Sequence, residues 1–235
     1  MDDFYSRTEI LIGRDAMARL KNGSVAICGI GGVGSYAAEA IARAGIGKIT
    51  LADHDTIAES NLNRQIHALR GTLGRAKTDV MCERILDINP RCAVSAIKIF
   101  ITPDNACTVF NAENPPDYVI DAVDNIPAKL ALIKEAGRRG VKIISAMGAA
   151  NRVRPELLEI TDIYKTAGCP LAKAMRKELK KLGIASLLCC ASGEKPARPE
   201  PERPQTLGSV SFVPAAAGLM IAGHVIREMI NWESS

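Results

Sequence analysis

The stretch Ser24-Val25-Ala26-Ile27-Cys28-Gly29-Ile30-Gly31-Gly32-Val33-Gly34 decides the fold. A short, mostly apolar strand runs straight into a glycine-rich turn. Ala37, Ala38, Ala40, Ile41 and Ala44 then follow as a helix that ends at Gly45, a residue suited to a helix C-cap. A second strand, Lys48-Ile49-Thr50-Leu51-Ala52, delivers Asp53 at its carboxyl end. This is a βαβ unit. Gly29, Gly31 and Gly34 fill a Gly-x-Gly-x-x-Gly fingerprint, with Gly32 inside it, and let the backbone approach phosphates whose charge sits at the helix N-terminus. Asp53 follows at about the ~20-residue distance from which a carboxylate reaches ribose hydroxyls. These residues specify an adenine nucleotide, and an NAD-dependent dehydrogenase would fit them equally well.

Outward from this unit, a helix is expected over 75–89, stopped by Pro90, with strands at 94–99, 118–121 and 141–145 and a helix over 127–139. Strands alternating with helices predict an α/β, Rossmann-like, doubly wound and mostly parallel sheet. Past Met147 the pattern changes to a strand over 157–163, an amphipathic helix over 170–182 and a strand over 186–190, a C-terminal extension of mixed strands and helices. Residues 192–209 collect Pro196, Pro199, Pro201 and Pro204 among charges and are expected as a mobile loop. The organisation expected is one adenylating domain over 1–235, with a nucleotide-binding half (1–147) and a substrate-side half (148–235).

Composition narrows the setting. With 47% hydrophobic and 24% charged residues the chain can bury a full core. Seven cysteines are scattered without a CxxC pair, which argues against a disulfide framework and a structural zinc site. A reduced, cytoplasmic compartment is expected, and no secretory signal is read in the acidic N-terminus. The apolar run from Val210 to Ile230 is broken by Pro214, His224, Arg227 and Glu228, so a buried helix is expected rather than a membrane span.

The segments after Asp53 separate the two nucleotide readings. Ser60-Asn61-Leu62-Asn63-Arg64-Gln65, Gly74-Arg75-Ala76-Lys77 and Asp121-Ala122-Val123-Asp124-Asn125 add an arginine, a lysine and another aspartate. A dehydrogenase has no use for them around one crevice. An enzyme that displaces pyrophosphate needs cations to neutralise phosphate charge and a carboxylate to hold Mg2+. In these motifs the chain resembles the adenylating enzymes of the ubiquitin-activating superfamily, including the ThiF and MoeB types. The resemblance implies that Asp53 binds the ribose of ATP, that Asn61, Arg64 and Lys77 contact the triphosphate, and that Asp124 is linked to Mg2+. It also implies a homodimer in which Arg7, in Phe4-Tyr5-Ser6-Arg7, enters the neighbouring subunit's site.

Within that superfamily, activators of ubiquitin-like proteins usually carry two CxxC pairs, which are absent here. Asn63-Arg64-Gln65-Ile66-His67-Ala68-Leu69, Asp162-Ile163-Tyr164-Lys165-Thr166, Cys169-Pro170-Leu171-Ala172-Lys173 and Gly208-Ser209-Val210-Ser211-Phe212-Val213-Pro214 resemble instead the tRNA threonylcarbamoyladenosine dehydratases. That likeness implies adenylation of a threonyl carboxylate on tRNA followed by ring closure. The alternative is an activator of a ubiquitin-like sulfur-carrier protein, and a sulfur-relay partner stays open. On the helix over 170–182, Leu171, Met175, Leu179 and Leu182 form an apolar stripe, and Lys173, Arg176, Lys177, Lys180 and Lys181 share an arc of roughly 140° opposite it. Glu178 lies at the margin of that arc. The face is expected to bind tRNA. Cys169, before Pro170, is a candidate thiol at a helix N-terminus, and a structural role is the favoured reading.

Overall fold

The computed structural model describes residues 4–111, 113–197 and 207–232. Residues 198–206, the middle of the loop expected at 192–209, lie outside the described residues. The chain begins with α1 (Ser6–Ile12) and α2 (Arg14–Asn22) and enters the sheet at β1 (Ser24–Cys28). It continues through α3 (Gly34–Ala44), β2 (Lys48–Ala52), α4 (Lys77–Ile88), β3 (Ala93–Ile97), β4 (Tyr118–Asp121), α5 (Ile126–Arg139) and β5 (Lys142–Ala146). The remainder is β6 (Leu158–Asp162), α6 (Pro170–Lys181), β7 (Leu188–Ser192) and α7 (Phe212–Ile230).

The seven strands form one sheet in the order β3-β2-β1-β4-β5-β7-β6. Every pairing is parallel except β6 with β7, so the expected doubly wound sheet is present and carries an antiparallel edge. Strand order reverses at β1, which pairs with β2 on one side and β4 on the other. In open α/β sheets the crevice at the carboxyl ends of such strands receives ligands.

Alternation along β1 sets the layers. Val25 and Ile27 face a core shared with α2, α3, α4 and α7, and Ala26 and Cys28 face a second core with Phe110 and α5. A third cluster packs Met175 and Leu179 of α6 against Ile163, Leu187 and Cys189. α7 is long and apolar enough to cross a membrane, but half of its apolar window is buried, where it packs on α3.

Local differences from the expected elements have physical causes. The strand expected at 186–190 begins at Leu188, because Ser186 and the Leu187 amide are held by Asp162 Oδ2 at 2.6 and 3.1 Å. The stripe expected on α6 ends early. Leu182 is 39% exposed, since the helix stops at Lys181 and Gly183 turns the chain away with φ +69.

Candidate active site

The glycine turn closes on itself between β1 and α3. Gly29 has φ +85, and a Cβ on it would stand 2.6 Å from the Ala122 carbonyl oxygen. A Cβ on Gly34 would stand 1.8 Å from the Gly29 carbonyl oxygen, so neither position admits a side chain. Gly31 faces Gln65, and Gly32 faces Pro214 at the start of α7 and the Arg64 side chain. The turn is thus walled by the 60–65 loop and by α7, with the α3 N-terminus at its floor.

Asp53 is 9% exposed and anchors this wall. Its Oδ2 accepts from the Ile30 amide at 2.5 Å and its Oδ1 from the Asp55 amide at 2.8 Å. The carboxylate at the end of β2 thus shapes the glycine turn. Lys77 opens α4 at 5% exposure, and its Nζ donates to Asp55 at 2.6 Å. Asp55, two residues past Asp53, thus fixes where the Lys77 ammonium sits. Asn61 is buried, and its Oδ1 accepts from the Ala58 amide at 3.0 Å, so it also fixes its own loop. Arg64 turns onto neutral acceptors, the Ser60 carbonyl at 2.7 Å and Asn63 Oδ1 at 2.9 Å.

Asp124 is exposed just past the carboxyl end of β4. It does not cap α5, because Asn125 Oδ1 accepts from the Ala128 amide at 2.9 Å and fills that position. Among the described residues its carboxylate makes no hydrogen bond or ion pair that ties it to the fold. Beneath it lies a closed network that sequence reasoning missed. Lys129, Asp121 and Ser145 are all fully buried. Lys129 Nζ donates to Asp121 Oδ2 (3.1 Å), Ser145 Oγ (3.1 Å) and the Ala146 carbonyl (2.8 Å), using all of an ammonium's donors. Asp121 Oδ1 accepts from the Val123 amide at 3.2 Å and sets the turn that presents Asp124. Asp121 stood in the quoted motif, but Lys129 carried no signal beyond its place in the first turn of a helix.

Contacts link Gly34 to Gly29, Gly29 to Ala122 two residues before Asp124, Gly31 and Gly32 to the Gln65 and Arg64 side chains on the loop of Asn61, and Asp53 to Ile30 of the turn and to Asp55, which holds Lys77. Arg7 is not among them. It is exposed on α1, whose preceding Tyr5 packs at Gly45 and donates to Asn89 at 3.0 Å, at the carboxyl ends of α3 and α4. With a rise of ~1.5 Å per residue, the length of α3 separates that end from the glycine turn.

α6 corrects the expected basic face in part. Arg176 points inward, donating to the Ile163 and Thr166 carbonyls (3.4 and 3.0 Å) and to Thr166 Oγ1. Lys181 pairs with Glu178 at 2.8 Å, and Lys180 lies over the Tyr164 ring at 5.8 Å. Lys173 and Lys177 are exposed. Cys169 is 3% exposed and caps α6, its Sγ accepting from the Ala172 amide at 3.5 Å, which is a structural role.

The family model described as the ThiF family matches residues 5–235. A Bacillus subtilis protein named tRNA threonylcarbamoyladenosine dehydratase is 42% identical, over 97% of this chain and 94% of its own length. The Escherichia coli protein of that name, solved in complex with ATP, is 37% identical with a TM-score of 0.89, covering 97% of this chain and 93% of its own. The Escherichia coli molybdopterin-synthase adenylyltransferase is 33% identical over 67% of this chain and 62% of its own length.

Proposed function

The chain belongs to the ThiF family, and we propose on that premise that it is an ATP-dependent tRNA threonylcarbamoyladenosine dehydratase. The observation that carries this reading is likeness along nearly the whole chain, at 42% identity, to a relative of that name. The molybdopterin-synthase adenylyltransferase matches 67% of the chain, so the sulfur-carrier activator is the weaker reading.

Asp53 takes the ribose, and the α3 N-terminus with Arg64, Lys77 and Asn61 takes the phosphates. The threonyl carboxylate attacks the α-phosphate of ATP, the bond to the β-phosphate breaks, and pyrophosphate leaves. The neighbouring carbamoyl group then attacks the activated carbonyl, AMP departs with the former carboxylate oxygen, and the ring closes with net loss of water. No acceptor cysteine is needed. The chain's part is position and charge: Arg64 and Lys77 meet the negative charge that grows on the departing pyrophosphate. The exposed Asp124 carboxylate, free of any capping duty, suits Mg2+, a hard cation that takes oxygen ligands. When bound, Mg2+ would neutralise phosphate charge there.

The reading extends to the assembly. The chain is cytoplasmic and forms a homodimer in which Arg7 serves the partner's crevice, as supported by Arg7 standing away from its own. α1 also buries none of its residues and exposes Ile10 (85%) and Leu11 (74%). The anticodon arm of the tRNA lies along α6 on Lys173, Lys177, Lys180 and Lys181, with Arg176 holding the helix to the 163–166 turn. A sulfur-relay partner has no feature of the site in its support. Pyrophosphate exchange tests the whole reading. Exchange stimulated by tRNA bearing threonylcarbamoyladenosine is expected, and exchange stimulated only by a carrier protein ending in Gly-Gly would overturn it.

A further inference from the structure

Arg152 carries a charge in a place where charge is costly. The residue is 3% exposed, and among the described residues its hydrogen bonds go only to neutral carbonyls. Nε donates to Glu194 and Nη1 to Ala150, both at 3.3 Å, and Nη1 also donates to Gly148. Among the described residues Nη2 is buried without a partner. The Glu194 carboxylate is used elsewhere, accepting from the Val153 and Arg154 amides at 3.1 and 3.0 Å. Buried cations are ordinarily paired with an anion, and an orphaned donor adds its own desolvation penalty. A fold that needed only a filled space here would be served better by an apolar side chain.

The position of this cation is specific. Residues 147–152 follow β5, on the side of β4 away from β1, and leave the carboxyl edge of the sheet where such folds bind ligands. Asn151 exchanges hydrogen bonds with Gly208, its amide donating at 2.8 Å and its Oδ1 accepting at 2.6 Å. The adjacent Ser209 carbonyl accepts from Asn63 Nδ2 at 3.0 Å, and Asn63 precedes Arg64. The segment that holds Arg152 is therefore tied to the loop that carries the phosphate-side arginine.

We propose that Arg152 receives the carboxylate of the substrate, the group that is to be adenylated, through Nη1 and the unpartnered Nη2. This rests on the function proposed above. Binding exchanges the neutral Gly148 and Ala150 carbonyls for a charge-assisted fork, which is roughly twice as strong per bond. A single amino-acid carboxylate fits this position better than an RNA phosphate, because the guanidinium is sealed behind 148–151 and a phosphodiester backbone cannot follow it in. Gly148 lies directly against the guanidinium: a Cβ there would stand 3.5 Å from Cys169 Sγ and 3.7 Å from Arg152 Nη1, ordinary contact distances.

The test compares one tRNA with and without its threonylcarbamoyl group, measuring equilibrium binding to the full chain and its Arg152→Gln and Arg152→Lys variants. Arg152→Gln should weaken binding of the modified tRNA by about 10- to 100-fold, the worth of a hydrogen-bonded charge, and leave the unmodified tRNA and ATP affinities unchanged. Arg152→Lys keeps the charge without the fork, folds with the same electrostatics, and should recover part of the loss. Equal weakening of both tRNAs, which marks a phosphate ligand or a collapsed loop, overturns the proposal. So does unchanged binding of the modified tRNA in both variants. If the unaltered protein itself does not distinguish the two tRNAs and shows no tRNA-stimulated exchange, the proposed function falls, and this inference with it.

Discussion

Arg64 holds a positive charge that its own surroundings do not cancel, since the acceptors of its guanidinium are a carbonyl and an amide oxygen. Asp124 is an exposed carboxylate with no cap to make. Removing either charge should cost turnover, not fold: Arg64→Ala and Asp124→Ala are expected to lower exchange by ~10²–10³, with thermal unfolding shifted by no more than an ordinary surface substitution. Near wild-type exchange in a well-folded variant would remove that residue from the site. His67 behaves differently. It is 1% exposed, both ring nitrogens lack partners among the described residues, and burial, reinforced by Lys77 and Arg84, lowers its pKa from 6.5 to about 4. Below pH 6.5 the unfolded chain binds a proton that the folded chain refuses, so stability falls as pH drops towards 4 and the term is exhausted below that. The loss amounts to about 3 kcal/mol at ~1.4 kcal/mol per pH unit. His67→Gln should therefore show a flatter stability curve across that window in denaturant titrations. Parallel curves would mean that the imidazole is not the group responsible.

Among the elements, α6 shows how far a periodic pattern reads and where it stops. The spacing of Met175 and Leu179 placed both correctly in the core, because helical phase follows from sequence alone. Leu182 failed because the helix ends one residue earlier, and a fraying last turn leaves no sequence trace strong enough to override the stripe. Arg176 failed for another reason. Its acceptors are on the turn at Ile163 and Thr166, and a non-local partner is invisible to periodicity. The basic face that remains makes a sharper prediction than the full set of cations did. Lys173 and Lys177 are exposed and in no ion pair among the described residues, whereas Lys181 shares its charge with Glu178 at 2.8 Å. Reversing both to Glu should weaken tRNA binding and reduce the slope of log K against log salt by about two, one for each lost phosphate contact. ATP affinity should stay as it was. An unchanged slope in the double variant would take the RNA off this helix.

At the scale of the whole molecule, the glycine turn and its flanking strands made the parallel sheet and the nucleotide crevice legible, because both follow from local pattern and spacing. Strand order was not legible, and neither was the Lys129–Asp121 pair that ties the ends of β4 and β5 together. Nor could spacing say that Arg7 stands at the far end of α3 from its own crevice. That separation leads to the last prediction. If Arg7 acts only across a homodimer, an Arg7→Ala chain keeps a complete crevice that lacks its visiting arginine, and an Asp124→Ala chain has a ruined crevice but a good arginine to lend. Each homodimer should be inactive alone. Mixed after dissociation and reassociation, random pairing makes half of the dimers heterologous, and each of these has one complete site. Exchange activity should then return to about a quarter of the wild-type level, the share of sites that a two-fold dimer completes in this way. If the exposed Ile10 and Leu11 beside Arg7 form part of that contact, adding Ile10→Asp and Leu11→Asp to both chains should abolish the recovery. No recovery in the mixture, with dimers demonstrably exchanged, would return Arg7 to the status of a surface cation.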